Sequence, residues 1–190
     1  MHWQQLHARM DWSFNMADVK HQSVEEPKEF EEVVINIDRV SRVVKGGRRF
    51  RFKALVVVGD GKNRVGVGVS KGADVQAAVT KATAVAKKNI IHIPIFKSTI
   101  PHDILAKVGG SKVLLKPAAA GTGIIAGGTV RAILNVTGIN DVLSKSLGST
   151  NKVNTAYATI EALTQLKVKS EWVTTQVDKI SAPKAIKEKK

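Results

Sequence analysis

Gly59-Asp60-Gly61-Lys62-Asn63 stands between two runs of alternating apolar residues, and that junction constrains the fold more than any other feature of the chain. Ahead of it, Phe50, Phe52, Ala54, Val56 and Val58 share one side of an extended strand, with Arg49, Arg51 and Lys53 on the other. Behind it, Val65, Val67 and Val69 alternate with Gly66 and Gly68. Glycine and aspartate at such a junction turn the chain back on itself, so the two runs are predicted to form a hairpin. Upstream, Val33, Ile35 and Ile37 begin another strand that continues towards Val43-Val44 and ends in the turn or loop Lys45-Gly46-Gly47-Arg48-Arg49. After Gly72 the period changes. Val75, Ala78, Val79, Ala82, Val85 and Ala86 recur at helical spacing through Lys88, with Asp74 and Lys87-Lys88 placed to suit the helix dipole. Three antiparallel strands and a packed helix are expected.

The second half has a different texture. Ile90 to Thr99 reads as a short strand or a connection, and two strands follow at about 102–108 and 112–116, joined by Gly109-Gly110. Gly121 to Gly128 is a glycine-rich loop leading into a helix over roughly 129–136 that Gly138 ends. Asn140 to Leu147 reads as another strand. Ser149-Thr150-Asn151 caps a last helix through about Leu166, with Val153, Tyr157, Ile160 and Leu163-Thr164 expected on one face. No internal repeat is visible.

Charge narrows the function classes. The chain of 190 residues carries 30 Lys and Arg against 16 Asp and Glu, a formal charge of +14. The distribution is uneven: residues 1–38 hold three basic and eight acidic residues, whereas Arg39 to Lys71 holds ten basic residues and one acid, Asp60. Such focused charge points to a polyanionic partner, and nucleic acid fits because each cation set against a phosphate releases condensed counterions. An anionic membrane is the rival, yet no basic amphipathic helix stands out, and the longest apolar stretch, Ile124 to Val136, is broken by glycines and Arg131. With no cysteine, disulfide frameworks and thiolate metal sites are excluded. An intracellular, cytoplasmic protein is expected.

Lys45, Arg48, Arg49, Arg51, Lys53, Lys62 and Arg64 are expected on one strand face and at the loop ends, a set that spans phosphates without reading sequence. The competing reading is a solvated surface. Phe50 and Phe52 can stack on bases, but the face they share with Val56 predicts core packing. The glycine loop fails as a nucleotide site: three residues separate Gly123 from Gly127, and Thr129-Val130 follows Gly128 where a Walker loop needs Lys and Ser or Thr. It can hold a phosphate at a helix N-terminus or pack closely against a partner with its bare backbone. His92 and His102, with Asp103 the only adjacent acid, do not make a metal site, and Asp38, Asp60, Asp74, Asp141 and Glu161 are scattered with no pairing evident. Neither catalytic residues nor a cofactor is expected.

The wording of several segments is family-specific. Val40-Ser41-Arg42-Val43-Val44-Lys45-Gly46-Gly47-Arg48-Arg49-Phe50, Val57-Val58-Gly59-Asp60-Gly61 and Arg64-Val65-Gly66-Val67-Gly68 resemble the small-subunit ribosomal protein S-five family. So do Lys116-Pro117-Ala118, Gly121 to Gly128 and Gly148-Ser149-Thr150-Asn151, and the match runs from about Glu32 to Leu166. The resemblance implies an α/β (α+β) chain: a βββα domain like the double-stranded-RNA-binding domain, then a ββαβα domain with a left-handed βαβ crossover. It also implies rRNA binding during subunit assembly, a place beside ribosomal proteins S-four and S-eight at the messenger RNA entry channel, and an effect on decoding accuracy. On that basis Ser41 to Arg49, with Arg42, Gly46 and Gly47, should lie against rRNA near the spectinomycin site. Gly121, Thr122, Gly123, Ile124, Gly127, Gly128 and Arg131 should face S-four.

The expected organisation is an acidic, disordered extension over residues 1–30, an RNA-binding domain over 31–95, a second α/β domain over 96–167 and a Lys-rich tail over 168–190. All three Met and two of the three Trp fall within the first 16 residues, and Met16-Ala17 reads as an ordinary start, so the preceding stretch is taken as an extension outside the family pattern. The alternative class, a free double-stranded RNA binder fused to a small catalytic domain, needs a nucleotide loop with an acid or Lys over it. The sequence offers neither.

Overall fold

The computed structural model describes residues 30–168. In chain order the elements are β1 (Glu31–Val44), β2 (Gly47–Gly59), β3 (Arg64–Gly72), α1 (Val75–Lys88), β4 (Ile90–His92), β5 (Ile104–Val108), β6 (Ser111–Pro117), β7 (Ile124–Ile125), α2 (Gly128–Thr137), β8 (Val142–Gly148) and α3 (Lys152–Thr164). They build two sheets, ordered β1-β2-β3-β4 and β5-β6-β8-β7. Every pairing is antiparallel except β7 with β8, where α2 makes the crossover between parallel neighbours. The mixed α/β class is as expected. Ile90–His92 becomes a fourth strand, and the glycine loop contains the two-residue strand β7, too short to leave a periodic signal. The acidic extension and the Lys-rich tail lie, but for Phe30 and Val168, outside the described residues.

The first sheet is covered on both faces over its middle, which explains why Ala54-Leu55-Val56-Val57-Val58 is apolar without interruption and at most 1% exposed. Ala54, Val56 and Val58 meet Ala78, Ala82 and Ala86 of α1 in a small core. Gly66 and Gly68 face the same helix, and a Cβ at either would strike the carbonyl oxygen of Ala86 or Ala82. Their missing side chains therefore set how closely α1 lies on the sheet. The opposite face, with Leu55, Val57, Val65 and Val67, enters a larger core that includes Val113, Leu115, Ile133, Leu134 and Leu163 of the second half. One apolar interior thus joins the two sheets, and truncating Leu55 there to Ala costs about 2–5 kcal/mol.

The β2–β3 turn completes that junction. Asp60 accepts from the amides of Lys62 (2.8 Å) and Arg64 (3.0 Å) and from Arg64 Nε (2.6 Å). The shaped turn then presents the Gly61 N–H to the Val136 carbonyl (3.0 Å) and the Asn63 N–H to the Thr137 carbonyl (3.2 Å). Those carbonyls close α2, where a helix has no donors of its own left. Gly138 ends the helix in the left-handed conformation (φ 86°), and a Cβ there would collide with the Gly61 carbonyl.

In α3 the Asn151 side chain accepts from the Val153 amide (3.1 Å) as the N-cap. The buried face differs from the expected one: it consists of Thr155, Ala156, Ala158, Thr159, Ala162 and Leu163, while Tyr157 is 39% exposed. Small residues let the helix pack closely, and the hydroxyls of Thr155 and Thr159 are satisfied by carbonyls one turn back (3.0 and 2.8 Å). Leu163 is on this face, and Val153 and Ile160 pack against the large core as expected, so Tyr157 is the large residue that departs.

Candidate nucleic-acid interface

β3 pairs with β2 only from Phe52 onward, opposite Gly72, so beyond that point β1 and β2 continue as a two-stranded arm ending at Lys45-Gly46. Gly46 (φ 87°) supplies the left-handed residue of the turn. Directly opposed residues share a face. Val40 with Arg51, and Arg42 with Arg49, lie on the same side as Lys53, and Lys71 of β3 is opposite Lys53. Val40, Arg42, Val44, Arg49, Arg51 and Lys71 line an open concavity on this side. Between Arg39 and Lys53 there are seven basic residues and no acid. Among the described residues, Arg42, Lys45, Arg48, Arg49 and Arg51 form no ion pair.

Lys53 differs from its neighbours. Its ammonium sits 2.8 Å from Asp38, whose carboxylate also accepts from Asn36 Nδ2 (2.7 Å), and Lys152 reaches Asn36 Oδ1 (2.8 Å) from α3. The hydrogen bond from Lys53, then that from Asn36, hold the Asp38 carboxyl below its ordinary pKa. Lys62 and Arg64 lie elsewhere altogether. β2 runs from Gly47 to Gly59, about 40 Å at about 3.3 Å per residue, so these two occupy the opposite end of the sheet from Arg48 and Arg49. The Arg64 guanidinium is engaged by Asp60 and lies 5.0 Å from the Phe30 ring centroid. Burial alone would raise the Asp60 carboxyl, but Arg64 and the amides of Lys62 and Arg64 bring it down to about 2. The basic residues from Arg39 to Arg64 therefore do not form one surface, because strand length separates what the sequence lists together.

The other side of the arm carries Val43 opposite Arg48, Ser41 opposite Phe50 and Arg39 opposite Phe52. Phe52 packs against the α1 core as expected, but Phe50 is 49% exposed. The apolar alternation continues past the end of α1's cover, which one strand's sequence cannot reveal. The Arg39 guanidinium lies 3.8 Å from the Phe50 ring centroid. Sequence reasoning missed Arg39 and Lys71, although alternation along β1 and β3 would have placed both on the arm's faces.

The glycine loop is shaped by one buried carboxylate. Gly121 (φ 89°) and Gly123 (φ 77°) both donate their amides to Asp141 Oδ1 at 3.0 Å. A hydrogen bond from Ser98, then that from the Gly123 amide, hold the Asp141 carboxyl below its ordinary pKa. Asp38, Asp60 and Asp141, which the sequence left without partners, are each structural anchors. Outside the loop, Gly121, Gly123, Gly127 and Gly128 face open space. Arg131 is exposed, and Ile124 is half-buried against the large core. Exposed Ile125 leads onto the outer face of the second sheet. There Leu105, Leu143 and Leu147 are exposed among Lys107, Lys112, Lys116 and Lys145, and among the described residues no helix lies above them. Sequence reasoning passed over this surface.

A family model described as ribosomal protein S5, N-terminal domain, matches residues 30–94, and one described as ribosomal protein S5, C-terminal domain, matches residues 106–174. The chain belongs to the ribosomal protein S5 family. Members of the S5 family are structural, non-enzymatic constituents of the small ribosomal subunit that bind rRNA. Among the described residues of this S5 chain no helix is long and apolar enough to cross a membrane, and no group of three or more His, Cys, Asp and Glu is placed to hold a metal ion.

Proposed function

We propose that this S5 protein holds rRNA through the free end of the β1–β2 arm. Arg42, Lys45, Arg48, Arg49 and Arg51 neutralise phosphates, and Gly46 and Gly47 let the RNA backbone approach the turn. The observation that carries this reading is the seven-to-none excess of cations over acids between Arg39 and Lys53, on a ribbon reaching past the rest of its sheet. Such contacts fix the position of a helix without reading its sequence. Lys53 lies at the arm's root, tied to Asp38, while Lys62 and Arg64 belong to the docked turn at the far end of β2 and take no part in this contact.

The chain works as two domains, 31–95 for RNA and 96–167 for protein neighbours. The loop residues Gly121, Thr122, Gly123, Ile124, Gly127 and Gly128, with Arg131, face ribosomal protein S-four. What supports this is a bare backbone held in shape by Asp141 and continued by exposed aliphatic residues. S-eight and messenger RNA at the entry channel complete the set of partners, and the protein contributes to assembly and decoding accuracy from that position.

Sedimentation through a sucrose gradient tests the reading. The wild-type chain should travel with the small subunit and stay there through a high-salt wash, whereas a variant with Arg48, Arg49 and Arg51 changed to Ala should be lost in the wash. Equal retention of both would reject the role given to the arm.

A further inference from the structure

The arm has a second face, and its chemistry differs from the first. Arg42, Arg49 and Arg51, beside Val40 and Val44, form a side with no aromatic ring, suited to phosphate. The reverse side places the half-exposed Phe50 ring under the Arg39 guanidinium at 3.8 Å, with Val43, 74% exposed, and Arg48 beside it. Phe50 pairs with Ser41, so Arg39 and Val43 are its two diagonal neighbours, within reach of an aromatic ring across a strand pair. An exposed phenyl ring on a projecting hairpin gains nothing from packing, and α1 does not extend over it. Among the described residues the same site carries an excess of positive charge and no acid, which disfavours a purely apolar protein partner and favours a polyanion that also has flat faces.

We propose that Arg39 and Phe50 form a stacking platform for an unpaired RNA base, so that the arm grips RNA by phosphates on one face and by a base on the other. An unstacked base can lie on an aromatic ring or on a guanidinium plane, and here the two are already stacked as adjacent layers. Val43 closes one side of the platform with an aliphatic wall, and Arg48 reaches the phosphate flanking the base. This inference rests on the proposed RNA-binding role of the arm and adds the ligand class of its second face: a bulged or looped nucleotide, not a continuous duplex.

The test uses the full chain and a short RNA duplex carrying a single bulged 2-aminopurine, compared with its fully paired counterpart. Stacking should quench the aminopurine fluorescence on binding. Phe50→Leu should abolish the quenching and weaken binding of the bulged RNA roughly tenfold, with paired RNA and the salt slope unaffected because no charge is lost. Phe50→Trp should restore both readouts, and circular dichroism should show both variants folded. Unchanged quenching and affinity in Phe50→Leu would overturn the platform. Arg49→Ala separates the two ideas, since it should lower the salt slope by about one unit while quenching persists. A slope indifferent to Arg49→Ala would reject the arm as an RNA contact, and the platform with it.

Discussion

The two ends of β2 make opposite use of similar residues. At one end, Lys45-Gly46-Gly47-Arg48-Arg49 forms a turn whose glycines have open space around them. At the other, Gly59-Asp60-Gly61-Lys62-Asn63 forms a turn whose amides complete α2 and whose aspartate holds Arg64. Both are glycine-rich, basic hairpin tips in one sheet. What separates them is whether another element lies within reach: the β2–β3 tip meets the end of a helix with unsatisfied carbonyls, and among the described residues the arm meets none. Polar groups already satisfied inside the protein contribute to stability, while cations left in water remain available to a phosphate.

Variants at the two ends should separate these roles. The largest stability effect is expected at the docked tip. Gly138→Val forces a side chain into a left-handed residue and against the Gly61 carbonyl, and should cost about 3 kcal/mol in denaturant unfolding with little change in RNA affinity measured on the folded fraction. Asp60→Asn should follow at about 2 kcal/mol, since it removes the charge-assisted bonds that shape the turn. The pH dependence has a definite sign. The folded Asp60 carboxyl titrates at about 2 against an ordinary 3.8, so its stabilisation is complete above the ordinary value and is lost as pH falls towards 2. Thermal melts of wild type should drop through that window, and those of Asp60→Asn should drop less. The smallest effect is expected at the arm: Gly46→Ala meets no neighbour and should cost only about 1 kcal/mol, the strain of its positive φ. A loss at Gly46 equal to that at Gly138 would break the contrast.

Much of this architecture was readable in the sequence because it is local. The hairpins, α1, the end of α2 at Gly138 and the Asn151 cap all follow from periodicity and turn chemistry. What failed depended on neighbours distant in sequence. Spacing puts Tyr157 and Phe50 on packed faces, but cover by other elements decides burial, and in α3 alanines and threonines pack beside the expected Leu163. Lys62 and Arg64 were grouped with Arg48 and Arg49 because they are close in the chain, although β2 holds them at opposite ends. Asp141 gave no sign that the loop twenty residues before it would wrap its carboxylate. The outer face of the second sheet needed the order β5-β6-β8-β7 before its leucines and lysines could be seen as one surface.

The most direct test of the central contrast is the salt dependence of RNA binding for two variants: Arg48→Ala with Arg49→Ala at the arm, and Lys62→Ala at the docked tip. The account predicts that the arm variant lowers the slope of log affinity against log salt by roughly two units, while Lys62→Ala leaves it as in wild type. A slope changed by Lys62→Ala and untouched by the arm variant would contradict it.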